Sequence, residues 1–143
     1  MTTIAYRSGI MASDSRVSLG DNTPPWKWRK MERLPDGRLV GFSGNPYRQN
    51  AFVAWLLDPA LARPDLTDEC KAMVVKPADK SVWFYQYTGE IEMDGPFFAI
   101  GCGAIPALAA MHAGADAAEA VRIASLLDPF TGGEIHVEPL FGE

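Results

Sequence analysis

Removal of Met1 from the opening Met1-Thr2-Thr3-Ile4 leaves a threonine whose α-amine lies beside its own hydroxyl. A threonine hydroxyl attacks a carbonyl carbon only once a base takes its proton, and a free α-amine, titrating near ~7.7 to 8.0, can take it at neutral pH. Nucleophile and base are then one residue. Such a residue needs a positive charge nearby to hold the amine neutral and to offset developing negative charge. Lys30 suits that task better than an arginine, and Asp14 can fix the lysine in place. Gly44, between Ser43 and Asn45, allows a backbone N–H to approach an oxyanion closely. Cys102 in the Gly101-Cys102-Gly103 turn, and Asp128 with Thr131 before Gly132-Gly133, are polar groups able to orient an amine. Each also has an ordinary reading: a solvated strand lysine, a strand-breaking glycine, a small buried cysteine, an Asx-type helix terminus.

These residues must be brought together by the elements that carry them. Residues 2–7 and 10–13 are partly β-branched runs about Ser8-Gly9, the pattern of a two-residue hairpin. Pairing Arg7 with Ile10 sets Ala5 against Ala12 and Thr3 against Asp14, which carries Asp14 to the start of the chain. A second hairpin is expected from residues 28–34 and 38–42 about Pro35-Asp36-Gly37. Asn45 caps a helix with Pro46 at its first position, running to about Leu57. Pro59 and Pro64 make residues 58–69 a loop. Strands follow at 71–76, 81–87, 90–93 and 97–100. Pro106 sits where a helix begins, and Asp116 with Glu119 has capping-box spacing ahead of a further apolar face, so two short helices, or one broken one, follow the strand. Residues 134–138 form the last strand. This order of strands, helix, strands, helices, strand predicts α+β layers rather than alternating βαβ units.

At 143 residues the chain fits a single domain over residues 1–143 with a proper core. Its 48% hydrophobic and 22% charged residues argue against disorder. A net charge of −5 argues against nucleic acid, and the short basic run Lys27, Arg29, Lys30 reads as a solvated strand face. Cys70 and Cys102 lack disulfide or metal-ligand spacing. Residues 95–115 carry no Asp, Glu, Lys or Arg, but glycines and prolines punctuate them too heavily for a membrane helix. The start lacks secretory-signal features, so a cytoplasmic location is expected. His112 and His136 have no triad partner by spacing, and Gly101-Cys102-Gly103 lacks the later glycine and context of a dinucleotide site.

Taken together, the motifs resemble the proteasome β-subunit family, most closely the bacterial HslV type, whose members are amino-terminal-nucleophile hydrolases. Thr2-Thr3-Ile4 is similar to the family's mature start. Ala12-Ser13-Asp14-Ser15-Arg16 is similar to its Ala-Ala-Asp-Ser-Arg strand, and Lys30 occupies the position of its essential lysine. Gly41-Phe42-Ser43-Gly44 resembles Gly-Phe-Ala-Gly, Ala99-Ile100-Gly101-Cys102-Gly103 resembles Ala-Ile-Gly-Ser-Gly, and Asp128-Pro129-Phe130-Thr131-Gly132-Gly133 resembles Asp-Ala-Tyr-Ser-Gly-Gly. The resemblance implies a four-layer αββα sandwich and peptide-bond hydrolysis with Thr2 as nucleophile. It assigns electrostatic roles to Lys30 and Asp14, the oxyanion N–H to Gly44, and orientation of the amine to Cys102, Asp128 and Thr131. It further implies stacked homo-oligomeric rings, unfolded polypeptide as substrate and an ATP-driven unfoldase of the AAA+ kind as partner. No cofactor is required; a structural cation on main-chain carbonyls of Leu127, Phe130 and Gly133 is implied by some relatives. Three departures stand out: a shorter first hairpin, a second helix reduced or lost within residues 58–69, and cysteine at 102 in place of serine. Two alternatives therefore stay open, an inactive ring-forming scaffold and a stand-alone small-molecule amidase.

Overall fold

A computed structural model describes residues 2–141 of the chain. Its first two strands, β1 (Thr3–Arg7) and β2 (Ile10–Ser13), form the hairpin that the sequence predicts. Ser8 and Gly9 both take positive φ, 52° and 79°, the twist that closes a two-residue hairpin. Arg7 faces Ile10, Ala5 faces Ala12 and Ile4 faces Ser13. One step further the Asp14 N–H donates to the Thr3 carbonyl at 3.2 Å, so Asp14 stands opposite Thr3.

The remaining strands are β3 (Met31–Arg33), β4 (Leu39–Ser43), β5 (Lys71–Val75), β6 (Val82–Gln86), β7 (Gly89–Met93), β8 (Phe97–Gly101) and β9 (His136–Pro139). They build two antiparallel sheets, one ordered β8-β1-β2-β9 and the other β3-β4-β5-β6-β7. The helices are α1 (Pro46–Leu57), α2 (Ala104–His112) and α3 (Ala117–Leu127). Three apolar cores then define four layers. Alternate residues of β1 and β2, Ile4, Tyr6 and Met11, pack against Met31, Leu39, Met73 and Val75 between the sheets. On the opposite face of the same hairpin, Ala5 and Ala12 meet Ala107, Ala110, Met111, Ala117, Ala120 and Val121 of α2 and α3. Beyond the other sheet, Val40, Phe42, Val74 and Tyr85 pack on Phe52 and Leu56 of α1. The fold is the αββα sandwich.

Helix ends follow their capping chemistry. The Asn45 side chain accepts the Tyr47 N–H at 2.8 Å with Pro46 at the first position of α1, and the Asp116 side chain accepts the Glu119 N–H at 2.8 Å at the start of α3. Helix α2 opens at Ala104, two residues ahead of Pro106, which the first turn tolerates because its N–H has no partner there. Residues 58–69 form turns without a helix. Leu66 buries its side chain at 1% exposure, and the Arg63 guanidinium lies 4.7 Å from the Trp55 ring centre, pinning this loop to α1.

The second hairpin is shorter than expected, because Trp28 and Arg29 leave it, whereas the Lys30 carbonyl still accepts the Phe42 N–H of β4 at 2.8 Å. The Trp28 N–H donates to the Ser15 carbonyl at 3.0 Å and Lys27 forms an isolated β-bridge with Arg16, so this segment pairs with residues that follow β2. The last strand is shifted to His136–Pro139, with Pro139 opposite Ile10; an edge strand accepts a proline because no ladder bond is lost on its open side.

The core under α2 and α3 is built largely of fully buried alanines, Ala107, Ala117, Ala120 and Ala124 among them. Ala120→Leu should therefore lower unfolding stability by about 1–3 kcal/mol through overpacking, read as a lower denaturant midpoint at unchanged slope.

Candidate active site

Thr2 enters the molecule at the start of β1, an inner strand flanked by β8 and β2, and is 3% exposed. Met1, on whose removal the expected chemistry depends, lies outside the described residues. Gly101 adopts φ +100°, and a Cβ at that position would fall 2.0 Å from the Thr2 carbonyl oxygen, so only glycine admits the backbone of residue 2 here. The Gly103 N–H reaches the same oxygen at 3.4 Å. The glycines of this turn serve close packing around Thr2 and Thr3.

Lys30 and Asp14 form an ion pair with the lysine Nζ 3.0 Å from both carboxylate oxygens, and their side chains are only 5% and 1% exposed. Asp14 is also held by backbone: the Thr3 N–H donates to Oδ1 at 3.1 Å and the Gly132 N–H to Oδ2 at 3.1 Å. One carboxylate thus joins β1, the end of β2, the lysine ahead of β3 and the bend after α3. Burial lowers the Lys30 pKa below the ordinary lysine range, and the Asp14 charge and hydrogen bond oppose that shift without cancelling it.

A second group approaches from the helical side. The Thr2 N–H donates to Cys102 Sγ at 3.2 Å, and the Cys102 thiol donates to Asp128 Oδ2 at 2.9 Å. The Thr131 hydroxyl donates to the same oxygen at 2.5 Å, and the Thr3 hydroxyl lies 2.7 Å from that of Thr131. Burial works to raise the Asp128 pKa, but hydrogen bonds from Cys102, Thr131 and the Phe130 N–H outweigh it and hold the carboxyl below its usual range. The structure thereby brings Thr2, Asp14, Lys30, Cys102, Asp128 and Thr131 into one connected hydrogen-bonded assembly.

Gly44 lies at the end of β4 with φ +135°, its Cα against Cys70. Its neighbour Ser43 reaches the Gly101 turn, with Oγ 3.4 Å from where a Cβ at 101 would stand. Ser43, and not Gly44 itself, is the residue of this segment that reaches the turn next to Thr2. Leu127 ends α3, and Phe130 and Gly133 lie in the bend beyond it. Among the described residues no group of three or more His, Cys, Asp or Glu is placed to hold a metal, so a cation there would rest on main-chain oxygens. His112 is exposed at the end of α2 and His136 is half-buried on β9. The basic run is occupied by acidic partners: Lys27 pairs with Glu134 at 2.9 Å and Arg29 with Glu138 at 3.6 Å.

Sequence reasoning did not single out Thr3 or Gly132. Thr3 could have been found from the predicted register, which places it opposite Asp14. Gly132 could not, because its N–H reaches Asp14 across 118 residues of chain.

Lys30 gives a pH-dependent stability of definite sign. Its folded pKa is below the ordinary 10.5 it has when unfolded, so between those values the unfolded chain binds more protons and stability rises with pH. Lys30→Met should abolish that rise in denaturant titrations toward pH 10.5 and, by leaving Asp14 a buried unpaired charge, lower stability near neutral pH by about 3–5 kcal/mol.

No protein-family model and no curated protein matches the chain. Solved structures do. Eukaryotic HslV from Trypanosoma brucei is similar at 22% identity and a TM-score of 0.72, over 95% of this chain and 97% of that one. BPH from Thiobacillus denitrificans is similar at 16% identity and a TM-score of 0.71, over 99% of both chains. BPH in complex with epoxomicin gives 16% identity and a TM-score of 0.68, again over 99% of both. With two antiparallel sheets between helical layers, the chain has an HslV-like and proteasome β-subunit-like fold, in a shortened form.

Proposed function

We propose that the chain is a threonine-type peptidase in which Thr2, freed by removal of Met1, attacks the carbonyl of a peptide bond. The observation that carries this reading is the placing of two buried polar groups at the start of β1: Cys102, backed by Asp128, on the Thr2 N–H, and Asp14, paired with Lys30, on the N–H of the adjacent Thr3. The α-amine of Thr2 takes the hydroxyl proton and returns it to the leaving amine. Asp128, acting through the Cys102 thiol, orients that amine. Lys30 keeps positive charge near the reacting oxygen, and its desolvation strengthens the field it exerts. The Gly44 N–H holds the oxyanion. Water then hydrolyses the acyl-enzyme, and no cofactor enters the scheme.

We further propose an oligomeric ring and an unfolded polypeptide substrate, delivered by an ATP-driven unfoldase. Support comes from the likeness to HslV, a fold whose neighbours include a protein solved with epoxomicin. If Met1 is retained, the Thr2 nitrogen is locked in a peptide bond and cannot act as base. The chain would then be a non-catalytic member of the fold.

Intact mass of the purified protein should lack Met1, and Thr2→Ala should reduce cleavage of unstructured peptides by about 10³-fold or more, as loss of a nucleophile does. Retention of Met1 in an active sample, or undiminished cleavage by the alanine variant, would overturn the reading.

A further inference from the structure

Three residues beyond the end of β2 lies Arg16, half-buried, with its side chain laid along the bend that carries Asp128. Its Nη1 donates to the Pro129 carbonyl at 2.8 Å. The guanidinium also lies flat on Gly132: a Cβ there would stand 2.4 Å from both its Cζ and its Nη2. The same strand end grips the bend through its backbone, since the N–H groups of Ser15 and Arg16 both reach the Gly132 carbonyl at 3.1 Å. Gly132 in turn gives its own N–H to Asp14. The bend is therefore fastened at Gly132 by backbone and at Pro129 by one side chain, and Asp128 immediately precedes Pro129 in the chain.

We propose that Arg16 is a positioning residue: it clamps the 128–132 bend so that the Asp128 carboxylate stays against Cys102 beside the Thr2 nitrogen. This rests on Thr2 being the nucleophile. A planar fork suits the task, because it can donate to a carbonyl while lying face-on against a glycine that offers no side chain. Releasing the Pro129 end leaves the Asp128 backbone tied to α3 through its N–H on the Ala124 carbonyl, but leaves its carboxylate to the Cys102 thiol, the Thr131 hydroxyl and the Phe130 N–H, the last two of which move with the bend. Misplacement of an orienting group by about 1 Å costs up to ~10² in rate, while substrate contacts remote from the bend are untouched.

The test is steady-state cleavage of an unstructured peptide by wild type, Arg16→Ala, Arg16→Lys, Gly132→Ala and the Arg16→Ala/Gly132→Ala pair, with thermal midpoints measured alongside. Arg16→Ala should lower kcat by about 10- to 100-fold at unchanged KM. Gly132→Ala, whose methyl displaces the guanidinium, should lower it similarly, and the pair should cost no more than either alone. Arg16→Lys, which keeps one donor and loses the flat fork, should fall between wild type and Arg16→Ala. A wild-type kcat in Arg16→Ala, a loss confined to KM, or additive losses in the pair would overturn the inference. If Arg16→Ala does not fold, Arg16→Lys decides: reduced kcat at unchanged KM supports the clamp, and a wild-type kcat refutes it. Wild-type cleavage that Thr2→Ala abolishes is the control, and without it the peptidase reading fails and this inference with it.

Discussion

A lysine and an aspartate with side chains 5% and 1% exposed would each be strongly penalised alone, and the site is organised around their mutual compensation. Asp14 comes from the hairpin sheet and Lys30 from the chain entering the other sheet, so the pair bridges the two layers. Its carboxylate accepts from Lys30, Thr3 and Gly132, leaving its oxygens satisfied by three separate segments. Satisfying that one buried charge fixes where β1 begins relative to the bend after α3. The position of Thr2 follows from it.

Around this pair the fold supplies precision with small residues. Alanines on the outer face of the β1–β2 hairpin let α2 and α3 settle close to the sheet, which brings the Gly101 turn and the Asp128 bend to the same edge. There the Thr3, Thr131, Asp128 and Cys102 side chains form a continuous run of hydrogen bonds ending at the Thr2 nitrogen. Cys102 is the weak link of that run, because a thiol donates less strongly than a hydroxyl.

Much of this was readable from the chain because it is local. The Ser8-Gly9 hairpin fixed a register in which Asp14 faces Thr3, and the caps at Asn45 and Asp116 marked the starts of α1 and α3. The loop character of residues 58–69 followed from Pro59 and Pro64. What was not readable depends on contacts between distant segments. Trp28 and Arg29 carry a strand pattern, yet Trp28 bonds to Ser15 beyond the end of β2, a choice no local propensity encodes. The start of α2 before Pro106 reflects tolerance of proline within a first turn, which spacing alone does not resolve. The grip of Gly132 and Arg16 on the bend appears only once β2 and the end of α3 are adjacent.

The central claim is that hydroxyl and amine of one residue act together, and an epoxyketone that bonds to both tests it most directly. Peptide mapping after treatment with epoxomicin should find a single adduct on the fragment that begins with Thr2, with parallel loss of peptide cleavage. Cleavage that continues with Thr2 unmodified, or an adduct elsewhere in the chain, would contradict the account.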